Sequence, residues 1–586
     1  MSAPSSTASA ATSMPARAAA LILDAFLDYN ARFSDITRRA QRWFERRNWK
    51  QAQIDLVWRM DLYDECLVET LARLELLLDD RVRSRALWAA MRDEYETLVA
   101  PLLDRELFKT FFNSLSRRFF RTSGVDADVE FVALDADPTA NIAEPIARNV
   151  YVVAGADLRD VCVRLLGDYG FARGYADVEA SGAAIAGALA ERFAIADGHA
   201  VFRIELLRTL FFRERRAYLV GRVLAGRAAA GAAWMPLVVA LVNDANGIHA
   251  DAVLTELGQV SALFGFSRSY FLADLPSIGD AVVFLHELMP HKPIGEIYTV
   301  LGRAKQGKTE RYRALFRHLA THPDERLVRA DGARGMVMAV FTPIDYPVVF
   351  KVIRDQFAYP KDSARRTVEE KYRLVFRYDR IGRLVDAQEF RYLRFPLRQI
   401  DPALRDELVE QCTESVSIDG DELLVRHCYV ERRLRPLNLY AREAPFDAAR
   451  AAVLDYGQAI KDLALSNIFP GDLLLKNFGV STRGRAIFYD YDELCLLEQC
   501  RFRKLPEARD EDETRPLEKW LSVRHDDVFP EMFARFLGVP NALRDALLAT
   551  HPEIFDPAWW QRLQARLAAG ESTDIPPYPA SARVRA

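Results

Sequence analysis

The chain has 586 residues, 50% of them apolar and 28% charged, so it is long enough for two or more folded domains. Its formal net charge of −4 argues against a general binder of nucleic acid or of a membrane surface. The longest apolar run, 228–242, contains Pro236 and is too short to span a bilayer. Six scattered cysteines favour a reduced, cytoplasmic protein.

Taken in chain order, the first part of the sequence is dominated by helical periodicity. Residues 1–20 are rich in Ala and Ser and are predicted to be a disordered extension, and residues 21–325 a mostly helical domain. Strands are predicted at 130–134, 150–153 and 237–242, and helices at 182–193 and 277–320. The polar, proline-containing segment 321–325 is the predicted linker.

The second part, 326–575, has a different pattern of predicted elements. Strands are predicted at 335–342, 348–353 and 423–429, with helices at 363–376 and 446–465, followed by a disordered tail at 576–586. Strands followed by helices are typical of a bilobal protein kinase. The predicted fold class is therefore α+β, with a mainly helical N-terminal domain and a bilobal protein-kinase-like C-terminal domain.

Three polar residues near the C-terminus carry the strongest chemical signal. Asp472 and Asn477 form a D-x4-N pattern, and Asp490 follows thirteen residues later at the end of an apolar run. In phosphoryl transfer one carboxylate accepts a hydroxyl proton, while an amide and a second carboxylate hold Mg²⁺ on the phosphates. Lys476 can neutralise the transferring phosphoryl group. Asp492 adds a carboxylate where ordinary kinases have a glycine.

A lysine in the predicted strand 348–353 completes this pattern. Lys351 is flanked by apolar residues, as is the kinase lysine that grips the α- and β-phosphates. Glu369 or Glu370, on the next predicted helix, is the expected ion-pair partner. The glycines of the loop 331–335 would let the backbone fold closely over phosphates.

Two other motifs are rejected. Residues 302–309 match the G-x4-G-K-T pattern, but a phosphate-binding P-loop needs a buried strand before it, and the preceding segment is ambiguous. His286 and His291 are five residues apart, which places them about 140° apart around a helix, so they are not expected to share a metal.

Several stretches resemble one bacterial family, that of isocitrate dehydrogenase kinase/phosphatase. The resemblance spans nearly the whole chain and rests on residues 111–114, 264–271, 334–338, 349–353, 387–390, 467–472, 476–480 and 488–493. It implies a regulatory N-terminal domain that senses AMP and other metabolites. It also implies a bifunctional enzyme that phosphorylates one serine of NADP-dependent isocitrate dehydrogenase and removes that phosphate, controlling flux between the citric acid cycle and the glyoxylate bypass.

The resemblance also implies site residues. Its ATP loop corresponds to Ala330, Asp331, Gly332, Ala333, Arg334, Gly335 and Met336, with Lys351 as a second ATP contact. Its active-site acid falls on Asp386, which the spacing of residues does not single out. The implied cofactors are ATP with Mg²⁺, and ADP or AMP for the phosphatase reaction. A homodimer is a further expectation.

The hypothesis that follows gives each residue a role. Lys351 and the 330–336 loop hold the nucleotide, Asn477 and Asp490 hold Mg²⁺, Asp472 activates the target serine, and Asp492 positions water for dephosphorylation. Two alternatives stay open at this point. One is a kinase-like pseudoenzyme that binds nucleotide without catalysis, and the other is a P-loop ATPase that uses Lys308.

Overall fold

The computed structural model of the chain describes residues 13–120, 124–131, 146–153, 156–195, 198–228, 231–265, 271–357, 364–378, 382–505, 524–571 and 574–584. The chain divides into two compact units. Unit 1 comprises Met1–Ser261, Tyr270–Ala320 and Pro579–Ala586, and unit 2 comprises Ala262–Ser269 and Thr321–Tyr578. None of the helices in the described ranges is both long and apolar enough to cross a membrane.

The first part of the chain is mainly helical, as predicted, but it also contains a large antiparallel sheet. The helices are α1 (Met14–Glu45), α2 (Trp49–Leu78), α3 (Arg85–Val99), α4 (Arg105–Phe119), α5 (Leu158–Gly167), α6 (Val178–Arg192), α7 (Leu257–Leu263), α8 (Ile278–Leu288), α9 (Ile294–Val300) and α10 (Ala304–Thr321). The strands are β1 (Arg148–Val152), β2 (Ala200–Leu207), β3 (Phe211–Arg213), β4 (Arg216–Gly226), β5 (Ala233–Asp244) and β6 (Gly247–Leu254).

The sheet has the order β1-β2-β4-β5-β6, with β3 paired to β4. The predicted strand 237–242 is the apolar, β-branched centre of β5, and the predicted helix 182–193 lies within α6 apart from its last residue. The predicted strand 130–134 is wrong at Glu130 and Phe131, which form no strand, and residues 132–134 lie outside the described residues. The predicted strand 150–153 overlaps β1 at residues 150–152, whereas β2, β3, β4 and β6 were not predicted.

Both predicted disordered ends need correction. Helix α1 begins at Met14 because the Ser13 hydroxyl accepts a hydrogen bond from the Ala16 backbone N–H at 3.3 Å, and Ala18 is fully buried. At the other end, the Val584 N–H donates to the Asp251 carbonyl at 2.9 Å. The Arg583 guanidinium pairs with the Asp251 carboxylate at 3.0 Å. Residues 13–20 and 579–584 therefore belong to unit 1.

Unit 2 begins with strands, as predicted. Its strands are β7 (Leu327–Arg329), β8 (Met338–Pro343), β9 (Val348–Ile353), β10 (Gln388–Phe390), β11 (Leu393–Pro396), β12 (Val416–Asp419), β13 (Glu422–Val425), β14 (Cys428–Arg432), β15 (Arg435–Pro436), β16 (Ile468–Phe469), β17 (Phe478–Val480), β18 (Ala486–Phe488), β19 (Cys495–Leu496), β20 (Arg501–Phe502) and β21 (Asp527–Val528). Its helices are α11 (Arg365–Tyr378), α12 (Pro402–Gln411), α13 (Leu437–Glu443), α14 (Phe446–Leu465), α15 (Asn541–Thr550) and α16 (Pro557–Ala568). Contrary to the predicted order, α11 and α12 interrupt the strands, and the short strands β16 to β21 follow α14.

A five-stranded sheet of order β10-β14-β9-β8-β7 begins the unit, and α14 supplies much of the core that follows. Strand β9 has the predicted limits, and α14 fills the predicted 446–465. The single strand predicted at 423–429 is wrong: β13 and β14 are separate strands that join different sheets. The predicted linker ends at Glu325, whose buried carboxylate accepts the Ile344 N–H at 2.8 Å.

Candidate active site

One cavity of about 1140 Å³ in unit 2 brings together nearly all of the predicted site residues. Strands β8 and β9, the loop before β8 and the segments after α14 supply its walls. The predicted residues that line it are Ala330, Asp331, Gly332, Ala333, Arg334, Gly335, Met336, Lys351, Asp472, Lys476, Asn477, Asp490 and Asp492. A volume above about 300 Å³ is typical of a ligand-binding cleft.

Lys351 is held by two acceptors on different elements. Its ammonium lies 2.8 Å from a carboxylate oxygen of Glu431 and donates to the Tyr489 carbonyl at 2.6 Å. Both side chains of the ion pair are buried, Lys351 at 6% exposure and Glu431 at 1%. Burial raises the pKa of Glu431, and the Lys351 charge opposes that rise. A buried lysine fixed in this way presents a positive charge to the cavity with little freedom to move.

The predicted ion-pair partner of Lys351, Glu369 or Glu370, is therefore wrong, because Lys351 pairs with Glu431. Glu369 pairs instead with Arg373, and Glu370 with Arg366, both along α11. Glu431 lies on β14, which pairs antiparallel with β9 so that Tyr429 is opposite Lys351. The two charges are thus diagonal neighbours on one face of the sheet.

The loop 330–336 is anchored to the strands on either side of it. A Cβ at Gly335 would lie only 2.5 Å from the Met338 carbonyl oxygen, so the backbone needs glycine there. Arg354, just after β9, donates through Nε to the Gly335 carbonyl at 3.1 Å and through Nη2 to Glu407 at 2.6 Å. Glu407 also accepts from Arg334 at 3.2 Å. These bonds fix the loop over one side of the cavity.

The Asp472 loop depends on a second glycine. Gly471 has φ +83°, and a Cβ there would approach Glu493 Cβ to 2.6 Å, so only glycine fits. The Asp472 carboxylate accepts the Leu474 N–H at 3.0 Å. Burial raises the pKa of Asp472, the charge of Glu493 raises it further, and the Leu474 N–H and Lys476 oppose them. A carboxylate with a raised pKa is a stronger proton acceptor than an ordinary one.

Asn477 and Asp490 are brought together by a hairpin. Strands β17 and β18 pair with Phe478 opposite Phe488, and the Tyr489 N–H donates to the Asn477 carbonyl at 3.1 Å. The Asn477 side-chain nitrogen donates to the Asp472 carbonyl at 3.3 Å. Its amide oxygen is then the atom that can coordinate a cation.

The donor set fits Mg²⁺ bound together with a phosphorylated ligand. Asp490 and Asn477 offer hard oxygen ligands at the cavity wall. Within the described residues no group of three or more His, Cys, Asp or Glu side chains could hold a metal ion. Mg²⁺ commonly takes one or two protein carboxylates and completes its shell with water and substrate phosphates. The geometry therefore favours a metal that arrives with a nucleotide.

Asp386 is placed differently from the other predicted residues. It follows a segment that pairs beside β18, since the Phe488 N–H donates to the Arg383 carbonyl at 2.8 Å. Its carboxylate accepts from the Gln388 amide at 3.3 Å, and its charge contributes to the raised pKa of Glu431. It is not among the described residues that line the cavity, and its role stays a prediction.

Sequence reasoning missed four residues that shape this cavity: Arg354, Glu407, Glu431 and Glu493. Glu431 carried a usable signal, because it is a charged residue directly after the apolar run of β14, as Lys351 is within β9. Glu407 and Glu493 carried none, because each depends on tertiary contacts with loops distant in sequence.

The rejected motifs have structural explanations. The G-x4-G-K-T segment follows helix α9, not a strand, and enters α10. A Cβ at Gly307 would lie 2.4 Å from the Gly295 carbonyl oxygen, so the glycines permit a close crossing of α9 and α10. His286 Nδ1 lies 3.1 Å from the Lys292 carbonyl, in a bend that ends α8.

Comparison with known proteins identifies the family. Residues 325–580 match the model of the isocitrate dehydrogenase kinase/phosphatase kinase domain, and residues 19–324 match that of the regulatory domain. A protein named isocitrate dehydrogenase kinase/phosphatase from Xanthomonas euvesicatoria pv. vesicatoria (strain 85-10) is 54% identical over 563 residues, covering 96% of each chain. One with the same name from Anaeromyxobacter sp. (strain Fw109-5) is 43% identical over 565 residues, covering 96% of this chain and 97% of the relative. The chain belongs to the isocitrate dehydrogenase kinase/phosphatase family.

Proposed function

We propose that this chain phosphorylates and dephosphorylates a serine of NADP-dependent isocitrate dehydrogenase, and so controls flux between the citric acid cycle and the glyoxylate bypass. The observation that supports this most is the convergence of Lys351, Asp472, Asn477 and Asp490 on one cavity in a kinase domain. The substrate is the one named in the relatives that match nearly the whole chain.

In the kinase direction ATP is the phosphoryl donor. The serine oxygen forms a bond to the γ-phosphorus, the bond from that phosphorus to the bridging oxygen of ADP breaks, and Asp472 accepts the serine proton. Lys351 and the loop 330–336 hold the nucleotide, and Lys476 offsets negative charge on the transferring group. Asn477 and Asp490 would hold Mg²⁺, which supplies charge neutralisation when bound.

In the phosphatase direction we assign Asp492 to the attacking water. The carboxylate lines the same cavity as Asp472, so one site can serve both reactions with ADP or AMP in place of ATP. Asp492→Ala should lower phosphatase activity more than kinase activity. Rates of label release and label incorporation, measured on the same preparation, test this, and equal losses would contradict the assignment.

The remaining expectations belong to the same proposal. They are regulation by AMP and other metabolites through unit 1, a homodimer, a cytoplasmic location, and Asp386 as an active-site acid. The six scattered cysteines of the sequence support a reducing compartment.

The test of the proposed function uses purified isocitrate dehydrogenase and γ-labelled Mg-ATP, followed by removal of ATP and addition of ADP or AMP. Label that enters a serine and then leaves as phosphate supports both activities. Label that enters and stays would restrict the protein to a kinase. Nucleotide binding without any labelling would favour the pseudoenzyme alternative.

A further inference from the structure

Two cysteines in unit 2 lie within contact distance of each other. The sulfur atoms of Cys495 and Cys500 are 3.5 Å apart, and both side chains are half-buried. The other four cysteines, Cys66, Cys162, Cys412 and Cys428, are buried. A disulfide needs a sulfur–sulfur distance of about 2.05 Å, so a small local movement would join this pair.

The cysteine pair is connected to the Asp472 loop by the antiparallel pairing of two short strands. Cys495 lies in β19, which pairs antiparallel with β16 so that Cys495 is opposite Phe469. Phe469 is three residues before Asp472. Between them Gly471 packs against Glu493, close enough that a Cβ would meet the Glu493 carbonyl oxygen at 2.6 Å. A displacement of Cys495 is therefore expected to shift the backbone segments that contain Asp472 and Asp492.

The surroundings of the pair make the two sulfurs chemically unequal. The hydrogen bond shared with the Cys500 sulfur lowers the pKa of Cys495, burial opposes this change, and the charge of Lys371 lowers the pKa further. The pKa of Cys500 is raised because its proton is shared with Cys495 and because the thiol is buried. Since the thiolate is the nucleophile in thiol–disulfide exchange, the lowered pKa supports Cys495 as the attacking sulfur.

We propose that Cys495 and Cys500 are a redox modification site, and that a reversible disulfide between them suppresses phosphoryl transfer in the adjacent cavity. The oxidant is a low-molecular-weight disulfide. The Cys495 thiolate attacks one of its sulfurs, forming a mixed disulfide and releasing one small thiolate. The Cys500 sulfur, after losing its proton, attacks Cys495 and releases the second. Two protein thiols are oxidised, one small disulfide is reduced to two thiols, and the protons pass to the departing thiolates.

The expected effect on activity follows from the geometry. Closing the sulfur pair from 3.5 Å to about 2.05 Å displaces Cys495, and its pairing with Phe469 passes that displacement to the Asp472 loop. A displacement of about 1 Å in a reacting group can cost about 10²-fold in rate, so we expect a loss of that order in both kinase and phosphatase activity.

The experiment uses the full-length protein with oxidised glutathione. Peptide mass mapping follows the cross-link, and label transfer to isocitrate dehydrogenase follows activity. A Cys495–Cys500 cross-link that forms in step with the activity loss, and is reversed by dithiothreitol, would support the proposal. No cross-link in oxidant-treated protein would overturn it, and so would a cross-linked protein with full activity.

Two variants sharpen the result. Cys495→Ser should retain basal activity and resist the oxidant, and inactivation of this variant to the wild-type extent would overturn the proposal. Cys500→Ser should trap glutathione on Cys495, and an adduct found elsewhere would contradict the order of attack. The mapping of the wild-type protein needs neither variant, so the proposal can be tested even if a substitution unfolds the chain. The cross-link mapping does not depend on the protein substrate, whereas the activity measurement rests on the proposed function, so a cross-link that forms without any measurable basal labelling would count against the proposed function and not against the redox site.

Discussion

The segment 302–309 in unit 1 and the loop 330–336 in unit 2 both place glycines beside basic side chains, but their surroundings differ. The first joins two helices, and its Gly307 lets α9 and α10 approach closely. The second leads into strand β8, and its residues line the 1140 Å³ cavity. The secondary-structure elements on either side of a glycine-rich segment therefore decide whether its backbone can bind phosphate. The residue pattern of the motif alone does not.

The largest expected effect separates the two lysines of these regions. Lys351→Ala should abolish Mg-ATP binding, whereas Lys308→Ala should leave it unchanged. The first change also leaves the buried Glu431 carboxylate without its partner, which costs about 3–5 kcal/mol of folding free energy. Nucleotide titration by calorimetry measures both variants.

A double variant distinguishes a loss of folding stability from a loss of nucleotide binding. The double variant Lys351→Met with Glu431→Gln removes both charges, so it should regain thermal stability while still failing to bind nucleotide. Tight nucleotide binding by this variant, or its loss in Lys308→Ala, would reverse the assignment of the two regions.

The next effect concerns catalysis alone. Asp472→Asn keeps the shape of the side chain but removes the proton acceptor, so the kinase rate should fall by about 10²–10⁴-fold. Nucleotide affinity should stay close to that of the parent protein, because the Lys351 pair and the 330–336 loop are intact. Label transfer and nucleotide titration together check this. A matched loss of affinity would mean that Asp472 holds the nucleotide instead.

A pair of glycine substitutions sharpens the comparison further. Gly307→Ala places a methyl group 2.2 Å from the Thr299 hydroxyl, so it should destabilise unit 1 by about 1–3 kcal/mol without altering nucleotide affinity. Gly335→Ala should lower nucleotide affinity, because its methyl group meets the Met338 carbonyl and displaces the loop. Thermal unfolding and nucleotide titration of both variants measure this. The same response from both variants would contradict the distinction.

The smallest effect is a shift in pH dependence. Asp472 accepts a proton only when it is ionised, so kinase activity should be lost as the pH falls through its pKa. Burial and Glu493 raise that pKa above the ordinary value of 3.8, so the loss should begin at a higher pH than for an exposed aspartate. Glu493→Gln removes the like charge and should move the midpoint to lower pH. The profile of kcat/KM against pH measures it, with circular dichroism to confirm folding.

Local patterns were enough to predict parts of unit 2. Strand β9 was found because Val348–Ile353 is a compact β-branched run, and the D-x4-N spacing was enough to group Asp472 with Asn477. Glu431 was missed because a helix was expected to supply the partner of Lys351. Its position directly after an apolar run marks Glu431 as a candidate, but the pairing of β9 with β14 is needed to show that it contacts Lys351.

Strands β2, β3, β4 and β6 of the unit 1 sheet were missed for a related reason. Its strands carry charges that pair with one another: Arg222 donates to Glu205 at 2.9 Å, and Arg148 donates to the same carboxylate at 3.1 Å. These cross-strand pairs interrupt the apolar alternation by which a strand is recognised in sequence. These charged positions are recognised as strand positions only when the neighbouring strand that pairs with them is known.

The docking of residues 579–584 beside Asp251 has a consequence for biosynthesis. An isolated bridge joins Arg583 to Ala252 near the end of β6, so unit 1 includes a segment that follows unit 2 in the sequence. During translation the whole of unit 2 leaves the ribosome before the residues that complete unit 1. The edge of β6 that residues 579–584 cover therefore stays uncovered while the kinase domain is synthesised.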